Sequence, residues 1–275
     1  MTQQRIPSSA CVVYGACYDY SRSLECDICI NKIQNANKMG DLNTLIDDRK
    51  PIWPQLKAID DKTLRQYYGQ WWKTPVRNHC CVFFQQPLRE LLSRSTWYTV
   101  LLTCLPFLSW AASSTEFVTD TFASSMFMLV GFCMWFVIEY CMHRFVAHSV
   151  FLETRYPRVH FLIHGFHHRF PDDIHRVVEP VPTQVGSLLV IRYVLHWLLG
   201  NYMNPCLIGI IVGYICYQIG HYVLHHRRRL LPIFIRRHFY KHHMEHHSAS
   251  HNTNFSVTCT TLDHAFHTNL SHRKQ

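Results

Sequence analysis

The chain has 275 residues, with 27 Lys and Arg against 18 Asp and Glu, and its 21 His outnumber the acidic residues. Charged residues make up only 16% of the chain and apolar residues 48%, which excludes an intrinsically disordered protein and is unusual for a soluble domain. The formal charge of +9 alone would admit a nucleic acid or an anionic membrane as partner.

The N-terminal part of the chain carries few assignable patterns. Residues 1–46 are interpreted as a cytosolic N-terminal extension, and the absence of a basic stretch followed by an apolar core predicts no cleaved signal peptide. Cys26 and Cys29 form a CxxC that could bind zinc together with Cys80 and Cys81. A lone CxxC at irregular spacing to a second pair is weak evidence for such a zinc site.

Four apolar segments predict membrane helices. Residues 95–115 and 121–138 contain no Asp, Glu, Lys or Arg, and each run is long enough to cross a bilayer. Two later apolar runs follow, and the only charged residue in either of them is Arg192. A core helix of a soluble protein needs no such length of uncharged sequence. The sequence therefore predicts an all-α integral membrane protein with four transmembrane helices in two hairpins, at about 95–115, 121–142, 183–200 and 204–224.

Basic residues are distributed unevenly around these segments. Thirteen precede the first segment, five lie between the second and third, and eight follow the fourth, whereas neither short connection contains any. Segments rich in Lys and Arg stay in the cytosol. The N-terminus, the middle segment 143–180 and the C-terminal tail are therefore expected in the cytosol, and the net charge requires no nucleic acid.

Most histidines fall into four groups. Sixteen of the 21 lie between residues 143 and 247, and thirteen of these fall in the segments HRFVAH, HFLIHGFHH, HYVLHH and HHMEHH, which begin at His143, His160, His221 and His242. The first and third groups stand at the ends of the second and fourth membrane segments, and the second and fourth groups lie in the cytosolic middle segment and tail. All four are expected to meet at the cytosolic membrane surface, in a cap of cytosolic helices. The alternative, a set of surface or helix-capping histidines, accounts poorly for four clusters at helical spacing.

Spacing within the groups points to metal binding. Residues three and four apart share one face of a helix, and each set with that spacing can aim two or three imidazoles at one point: His164, His167 and His168; His221 and His225; His243, His246 and His247. His143 and His148 diverge by about 140° on an ideal helix, which favours ligands of two different metals or a pair straddling a helix end. Neutral imidazole binds transition metals, and ten such ligands predict two ions.

The same stretches resemble the fatty acid 2-hydroxylases of the membrane fatty acid hydroxylase and sterol desaturase superfamily. The similar segments are DDRKPIWPQ, EYCMHRFVAH, HFLIHGFHHRFPDD with HRVVEPVP, GYICYQIGHYVLH, and HMEHH followed by NFSVT. The resemblance covers roughly Asp47 to His272 and implies a fatty acid hydroxylase domain over residues 47–275.

The resemblance also implies the site residues. Carried over by position, the ten metal ligands would be His143, His148, His164, His167, His168, His221, His225, His243, His246 and His247. Residues expected to support them are His160, His226, His238, His242, Asp173, Arg176, Gln218 and Asp263. No separate acid or base is assigned, so the dimetal centre itself is the expected catalytic group. Two iron ions are implied in the active enzyme, with zinc possible in isolated protein, because redox-inert zinc cannot support oxygen insertion into a C–H bond.

The activity implied is addition of a hydroxyl group at carbon 2 of a long-chain fatty acid or of the acyl chain of ceramide, with O2 as co-substrate, in the endoplasmic reticulum membrane. The haem-binding His-Pro-Gly-Gly loop of a fused cytochrome b5 domain is absent, and the only histidine before residue 140 is His79. No haem is expected on this chain. The implied electron donors are a separate cytochrome b5 and its reductase.

The sequence departs from the family pattern at four positions. Gln218 stands where Asp is usual, Asn254 and Ser256 replace two glycines, and Leu262 replaces a Trp. These departures leave all ten ligand positions occupied by His and bear on the substrate and the level of activity.

Two alternative functions stay open at this point. The same site could act on a sterol, a sphingoid base or an alkane. A non-catalytic metal-binding or transporter-like membrane protein is the second alternative, and it predicts ionisable residues in the middle of the membrane segments. Only Arg192 and His196 meet that condition.

Overall fold

A computed structural model of the protein describes residues 42–77, 79–113, 120–248 and 250–270. Within these residues all regular secondary structure is helical, as the sequence predicts. The α-helices are α1 (Leu42–Leu45), α2 (Ile52–Ala58), α3 (Asp61–Trp72), α4 (Pro87–Leu92), α5 (Trp97–Ser113), α6 (Thr121–Cys141), α7 (Val150–Arg155), α8 (Pro157–His160), α9 (Phe166–Arg169), α10 (Val181–Leu199), α11 (Met203–His226), α12 (Ile233–Ile235), α13 (Lys241–Ser248) and α14 (Thr261–Ala265). Turns of π-helix occupy Met142–Ala147, Phe161–Gly165 and Arg236–Tyr240, and 3-10 turns occupy Gly200–Tyr202 and Arg228–Leu230.

Helices α5, α6, α10 and α11 coincide with the four apolar segments. By length and composition, two continuous stretches could cross a membrane, Thr121–Arg155 and Val181–His226, and the second contains both α10 and α11. Helix α5 is apolar but shorter, with 17 residues. The two stretches fit a helical membrane protein.

The longest helix, α11, packs against α5, α6 and α10. Glycine allows α6 and α11 to approach closely, because a Cβ atom on Gly131 would lie 2.0 Å from the Cys206 carbonyl oxygen. A Cβ atom on Gly209 would lie 2.0 Å from the Met128 carbonyl oxygen. Small residues serve this purpose wherever membrane helices cross. The close crossing fixes the ends of α6 and α11, which lead into two of the histidine segments.

The helices before α5 form a second apolar core over the histidine-rich part. Leu56, Tyr68 and Trp71 are fully buried there against Phe161 and Phe166 of the second histidine segment. Ion pairs reinforce the contact, among them Lys73 to Glu153 at 2.7 Å and Arg169 to Asp48 at 3.0 Å. This layer packs directly against the second histidine segment.

Candidate dimetal centre

The structure brings together all ten predicted ligands, in two groups of five. The first group is His143, His148, His164, His168 and His246, and the second group is His167, His221, His225, His243 and His247. In each group, one ring nitrogen from every histidine lies within 4.8 Å of the others. Eight of the ten residues are less than 9% exposed, so water has little access to either group.

Each group combines pairs from two histidine segments with a single residue from a third. Histidines four residues apart stay together, whereas His167 joins the group opposite His164 and His168, and His246 joins the group opposite His243 and His247. Each set of three therefore aims two imidazoles at one group and the third at the other, so the expectation of two or three imidazoles at one point holds with two. Positions i and i+4 differ by about 40° around a helix, but i+3 and i+4 differ by about 100°, which directs adjacent histidines to different centres.

His143 and His148 lie in the same group, so the expectation that they serve two different metals is also wrong. Residues Met142–Ala147 form a π-helical turn, and the His148 amide donates to the His143 carbonyl oxygen at 3.0 Å. A π turn spans five residues where an α turn spans four. Residues five apart then face the same side. The pair stands at the end of the helix, which agrees with the alternative expectation of a pair straddling a helix end.

The ring nitrogens have the separations of atoms that share one ion. His164 Nε2 lies 3.0 Å from the Nε2 atoms of both His143 and His168, and His243 Nε2 lies 2.9 Å from that of His221 and 2.8 Å from that of His225. Nitrogens bound at about 2.1 Å and at right angles around one ion would be about 3.0 Å apart. Buried imidazoles at these separations fit transition-metal ions.

Unpaired ring nitrogens support the same fit. Among the described residues, both ring nitrogens of His167 and Nε2 of His246 are buried without a hydrogen-bond partner. A buried polar atom without a partner is costly to stability. A metal ion in each group would satisfy Nε2 of His246 and one ring nitrogen of His167.

Burial determines the protonation state of the imidazoles. A charged imidazolium loses its hydration in the interior, which holds the pKa well below its usual range for His164, His167, His168, His243, His246 and His247. Neighbouring imidazoles lower these pKa values further in every case. The rings are therefore neutral at pH 7, the form that binds metals.

Two main-chain carbonyls orient rings of the first group. The Nδ1–H of His246 donates to the Thr253 carbonyl oxygen at 2.7 Å, and that of His143 donates to the Phe255 carbonyl oxygen. A donor bond at Nδ1 leaves Nε2 free to bind a metal. These carbonyls could not be found from the sequence, because any residue type can supply one.

Asp263 holds the loop that carries these carbonyls. Its carboxylate accepts the amides of Phe255 at 2.9 Å and Ser256 at 2.8 Å, and His242 Nε2 lies 3.0 Å away. Burial raises the pKa of Asp263, but the hydrogen bonds from His242, Thr268 and Ser256 outweigh it and bring the pKa to about 2. Asp263 and His242, both expected to support the site, thus act through the loop.

Glu139 fixes the next part of the same loop. Its carboxylate accepts the amides of Val257 at 2.7 Å and Thr258 at 3.1 Å, and also the Thr258 hydroxyl. The residue was part of the family resemblance without an assigned role. Its signal in the sequence was a single acidic residue at the end of the apolar run of α6.

Trp72 is a further residue that sequence reasoning missed. Its ring lies against those of His148, His160, His168 and His251, with centroids 4.8 to 5.8 Å apart. The indole N–H is 3.1 Å from a Glu153 carboxylate oxygen. Its large apolar face excludes water from the first group.

The remaining expected supporting residues lie around the groups. His160 Nδ1 is 2.8 Å from the Tyr68 hydroxyl, and the His226 ring packs on Tyr222. His238 Nε2 is 3.0 Å from the Thr260 hydroxyl. These three histidines belong to neither group of five.

Asp173, Arg176 and Gln218 form contacts with or within the stretch that follows the second histidine segment. Asp173 accepts the Cys81 amide at 2.9 Å and pairs with Arg176 at 3.5 Å. Gln218 accepts the Glu179 amide at 3.4 Å. The other cysteines of the zinc hypothesis, Cys26 and Cys29, lie outside the described residues.

Asn254 shows why the family uses glycine at its position. Its φ of +57° lies in the left-handed region, which glycine adopts freely and which Asn tolerates best among the other residues. The Asn254 side chain also donates to the His242 carbonyl oxygen at 3.0 Å and accepts the Leu270 amide at 2.8 Å. The substitution therefore keeps the conformation of the loop and adds bonds across it.

The chain is similar to known lipid hydroxylases. The sequence profile described as fatty acid hydroxylase matches residues 128–268. The dihydroceramide fatty acyl 2-hydroxylase FAH2 of Arabidopsis thaliana is 30% identical, with 81% of this chain and 92% of that protein covered. Human fatty acid 2-hydroxylase is also 30% identical, with 82% of this chain and 64% of the human protein covered.

A solved structure has the same fold. It is described as full-length scs7p with only the hydroxylase domain visible, and it superposes with a TM-score of 0.74 at 27% identity, covering 87% of this chain and 90% of that one. These similarities confirm the resemblance to the fatty acid 2-hydroxylases and the hypothesis of an oxidoreductase enzyme. The chain belongs to the fatty acid hydroxylase family.

Proposed function

We propose that the chain is a di-iron, O2-dependent enzyme that hydroxylates carbon 2 of a long-chain fatty acid or of the acyl chain of ceramide. The observation that carries this proposal is the pair of neighbouring five-imidazole groups. The names of relatives, which include fatty acid 2-hydroxylases and ceramide very long chain fatty acid hydroxylase SCS7, support the substrate class.

In this proposal each group of five histidines holds one metal ion. No separate acid or base takes part. Bound iron would supply the redox chemistry for inserting oxygen from O2 into a C–H bond. The chain contributes neutral imidazoles whose orientation is fixed by the carbonyls of Thr253 and Phe255. Trp72 and the layer of α1 to α4 keep water from the site, which protects an oxidising centre from side reactions. Zinc could replace iron in isolated protein.

We further propose four membrane spans at α5, α6, α10 and α11 in the endoplasmic reticulum membrane. The uneven distribution of Lys and Arg supports termini and histidine groups on the cytosolic side. The hydroxylase domain would comprise residues 47–275. An acyl chain held between the four helices would place its second carbon beneath the two metal ions, and cytochrome b5 with its reductase would supply two electrons.

Lipid analysis of host cells that lack their own 2-hydroxylase tests the proposal. Cells expressing the chain should gain 2-hydroxy acyl chains, detected by mass spectrometry, and the His168→Ala variant should reduce them to background. His264→Ala is the matched control, since His264 is exposed and belongs to neither group. Normal metal content with a new hydroxylated sterol, sphingoid base or alkane would contradict the substrate and leave the site intact.

A further inference from the structure

A short basic segment connects the two helices that carry most of the second group. This basic strap, residues 227–240, runs from the end of α11 to the start of α13. Three of its large apolar side chains are exposed, Leu230 at 75%, Ile233 at 50% and Phe234 at 69%. Five arginines flank them, three before and two after: Arg227, Arg228, Arg229, Arg236 and Arg237.

The strap borders two adjoining cavities with a basic lining. The larger, of about 500 Å³, is lined by His225 and His226 as well as by Arg77, Arg227, Arg228, Arg229, Tyr240 and one acidic residue, Asp172. The smaller, of about 390 Å³, is lined by Arg228, Arg229, Arg236, Arg237, Tyr240 and Lys241. Arg228, Arg229 and Tyr240 are common to both cavities, which therefore form a continuous basic groove.

The arginines of the strap are not neutralised by carboxylates. Within the described part of the chain none of the five forms a salt bridge, whereas Arg77 pairs with Asp172 at 3.3 Å and Lys241 with Glu245 at 3.9 Å. The Arg228 guanidinium donates to the Tyr240 hydroxyl and lies 4.8 Å from the centre of its ring. Guanidinium groups that line one groove and form no salt bridge within the described residues favour a phosphate-bearing ligand, which their fork of N–H donors fits.

We propose that the basic strap lies on the membrane surface and that its groove binds the phosphate groups of anionic phospholipids. The strap begins at the residue after the end of α11, and α11 belongs to a stretch long and apolar enough to cross a membrane. Exposed Leu, Ile and Phe side chains between arginines are typical of a segment lying at the interface. An acidic protein would match the charge but would leave Leu230, Ile233 and Phe234 in water.

The lipid contact has a consequence for the histidine groups. The strap is the covalent link between His225 at the end of α11 and His243 in α13, and His225 lines the larger cavity. Lipid bound in the groove would hold α11 and α13 in their relative positions. The inference concerns binding alone and does not depend on which substrate the enzyme hydroxylates.

The test is a binding titration of the full-length chain in detergent micelles. Native mass spectrometry would measure the affinity for phosphatidylserine, with phosphatidylcholine as the zwitterionic comparison and inorganic phosphate as a competitor. We expect phosphatidylserine to bind at least tenfold more tightly than phosphatidylcholine. The triple variant Arg227→Gln, Arg228→Gln and Arg229→Gln should bind phosphatidylserine more weakly, by about fivefold for each arginine replaced.

Two further variants separate binding from folding. The triple Lys variant, Arg227→Lys, Arg228→Lys and Arg229→Lys, keeps the charge and should keep most of the affinity. The control variant Arg49→Gln, Arg89→Gln and Arg155→Gln removes equal charge from exposed arginines outside the groove and should bind like the unchanged chain.

Three outcomes would overturn the proposal. Equal affinity for the two phospholipids, or equal weakening in the control variant, would show that the groove does not select the phosphate of an anionic lipid. Complete displacement by millimolar inorganic phosphate would assign the groove to a soluble phosphate compound. Occupation of the groove by an acidic protein, with no preference for phosphatidylserine, would assign it to a protein partner.

Discussion

The rings of His168 and His247 stack with their centroids 4.3 Å apart and an angle of 29° between their planes. His168 belongs to the first group and His247 to the second. This contact joins the two groups directly, because no other residue separates the rings. The two metal sites therefore share one packed interior, and a change in one is expected to reach the other.

Substitution of either stacked histidine should affect both groups. His168→Ala removes a ring from the first group and the packing surface of His247 from the second, so the metal content should fall from about two ions per chain to clearly below one. His247→Ala removes a ring from the second group and the packing surface of His168 from the first, so it should lower the metal content in the same way. Elemental analysis of purified protein measures this loss, and His264→Ala should retain both ions. Retention of one full ion in both variants would mean that the groups bind independently.

The metal-free protein should lose stability as the pH falls. The pKa of His160 is lowered to about 4 and those of His164, His167 and His168 lie well below the usual range, in each case chiefly through burial. The unfolded chain, with pKa values near 6.5, then binds more protons than the folded chain between about pH 6.5 and 4. Each such group removes about 1.4 kcal/mol of stability per pH unit in that window.

Thermal unfolding of the metal-free protein at pH 7.5, 6.5 and 5.5 measures this effect. The midpoint should be nearly constant above pH 7 and should fall steeply below pH 6.5. Saturating metal should raise the midpoint at pH 7.5 and lose affinity as the pH falls, because protons compete for the ring nitrogens. A midpoint that stays constant down to pH 5 would contradict neutral, buried imidazoles.

Asp263→Asn should weaken the loop of Thr253 to Phe255. The change removes the charge that accepts the amides of Phe255 and Ser256, and a hydrogen bond to a charged group contributes about 1.5–3 kcal/mol. Metal affinity should fall about 10- to 100-fold, since His143 and His246 lose the support of their carbonyl partners. Metal titration measures the affinity, and thermal unfolding measures the stability.

Asp120→Asn is the control for this charge removal. Asp120 is exposed and caps α6 by accepting the Ala123 amide at 3.0 Å, and Asn caps a helix about as well as Asp. We expect its metal affinity and stability to match those of the unchanged chain. Equal losses in both variants would show that the effect of Asp263→Asn comes from net charge and not from the loop.

Gly209→Ala should separate α6 from α11. The new Cβ would lie 2.0 Å from the Met128 carbonyl oxygen, and main-chain atoms of a packed helix cannot give way without shifting the helix. A loss of about 1–3 kcal/mol is expected from overpacking of this kind. Thermal unfolding in detergent, with size-exclusion chromatography for the folded fraction, measures the result.

Gly186→Ala provides the comparison, because no atom lies within 4 Å of the Cβ position at Gly186 in α10. Alanine favours a helix over glycine, so this variant should be equal to or more stable than the unchanged chain by up to about 1 kcal/mol. If the two alanine variants were equally stable, the close crossing at Gly209 would not contribute to the fold.

The sequence by itself determined the helical class, the four apolar segments and the identity of the histidines that meet. Apolar runs and histidine spacing are local properties, and a helix converts them directly into length and facing direction. The ten histidines predicted from spacing and resemblance are the ten that the structure brings into the two groups.

Only the tertiary structure decided how those histidines divide. The π-helical turn at Met142–Ala147 brings His143 and His148 to one side, and the packing of the helices decides which other histidines His167 and His246 meet in their groups. The partners that orient the rings, such as the Phe255 carbonyl and Trp72, come from distant parts of the chain. Such contacts depend on where helices cross and loops return, and no local spacing in the sequence records them.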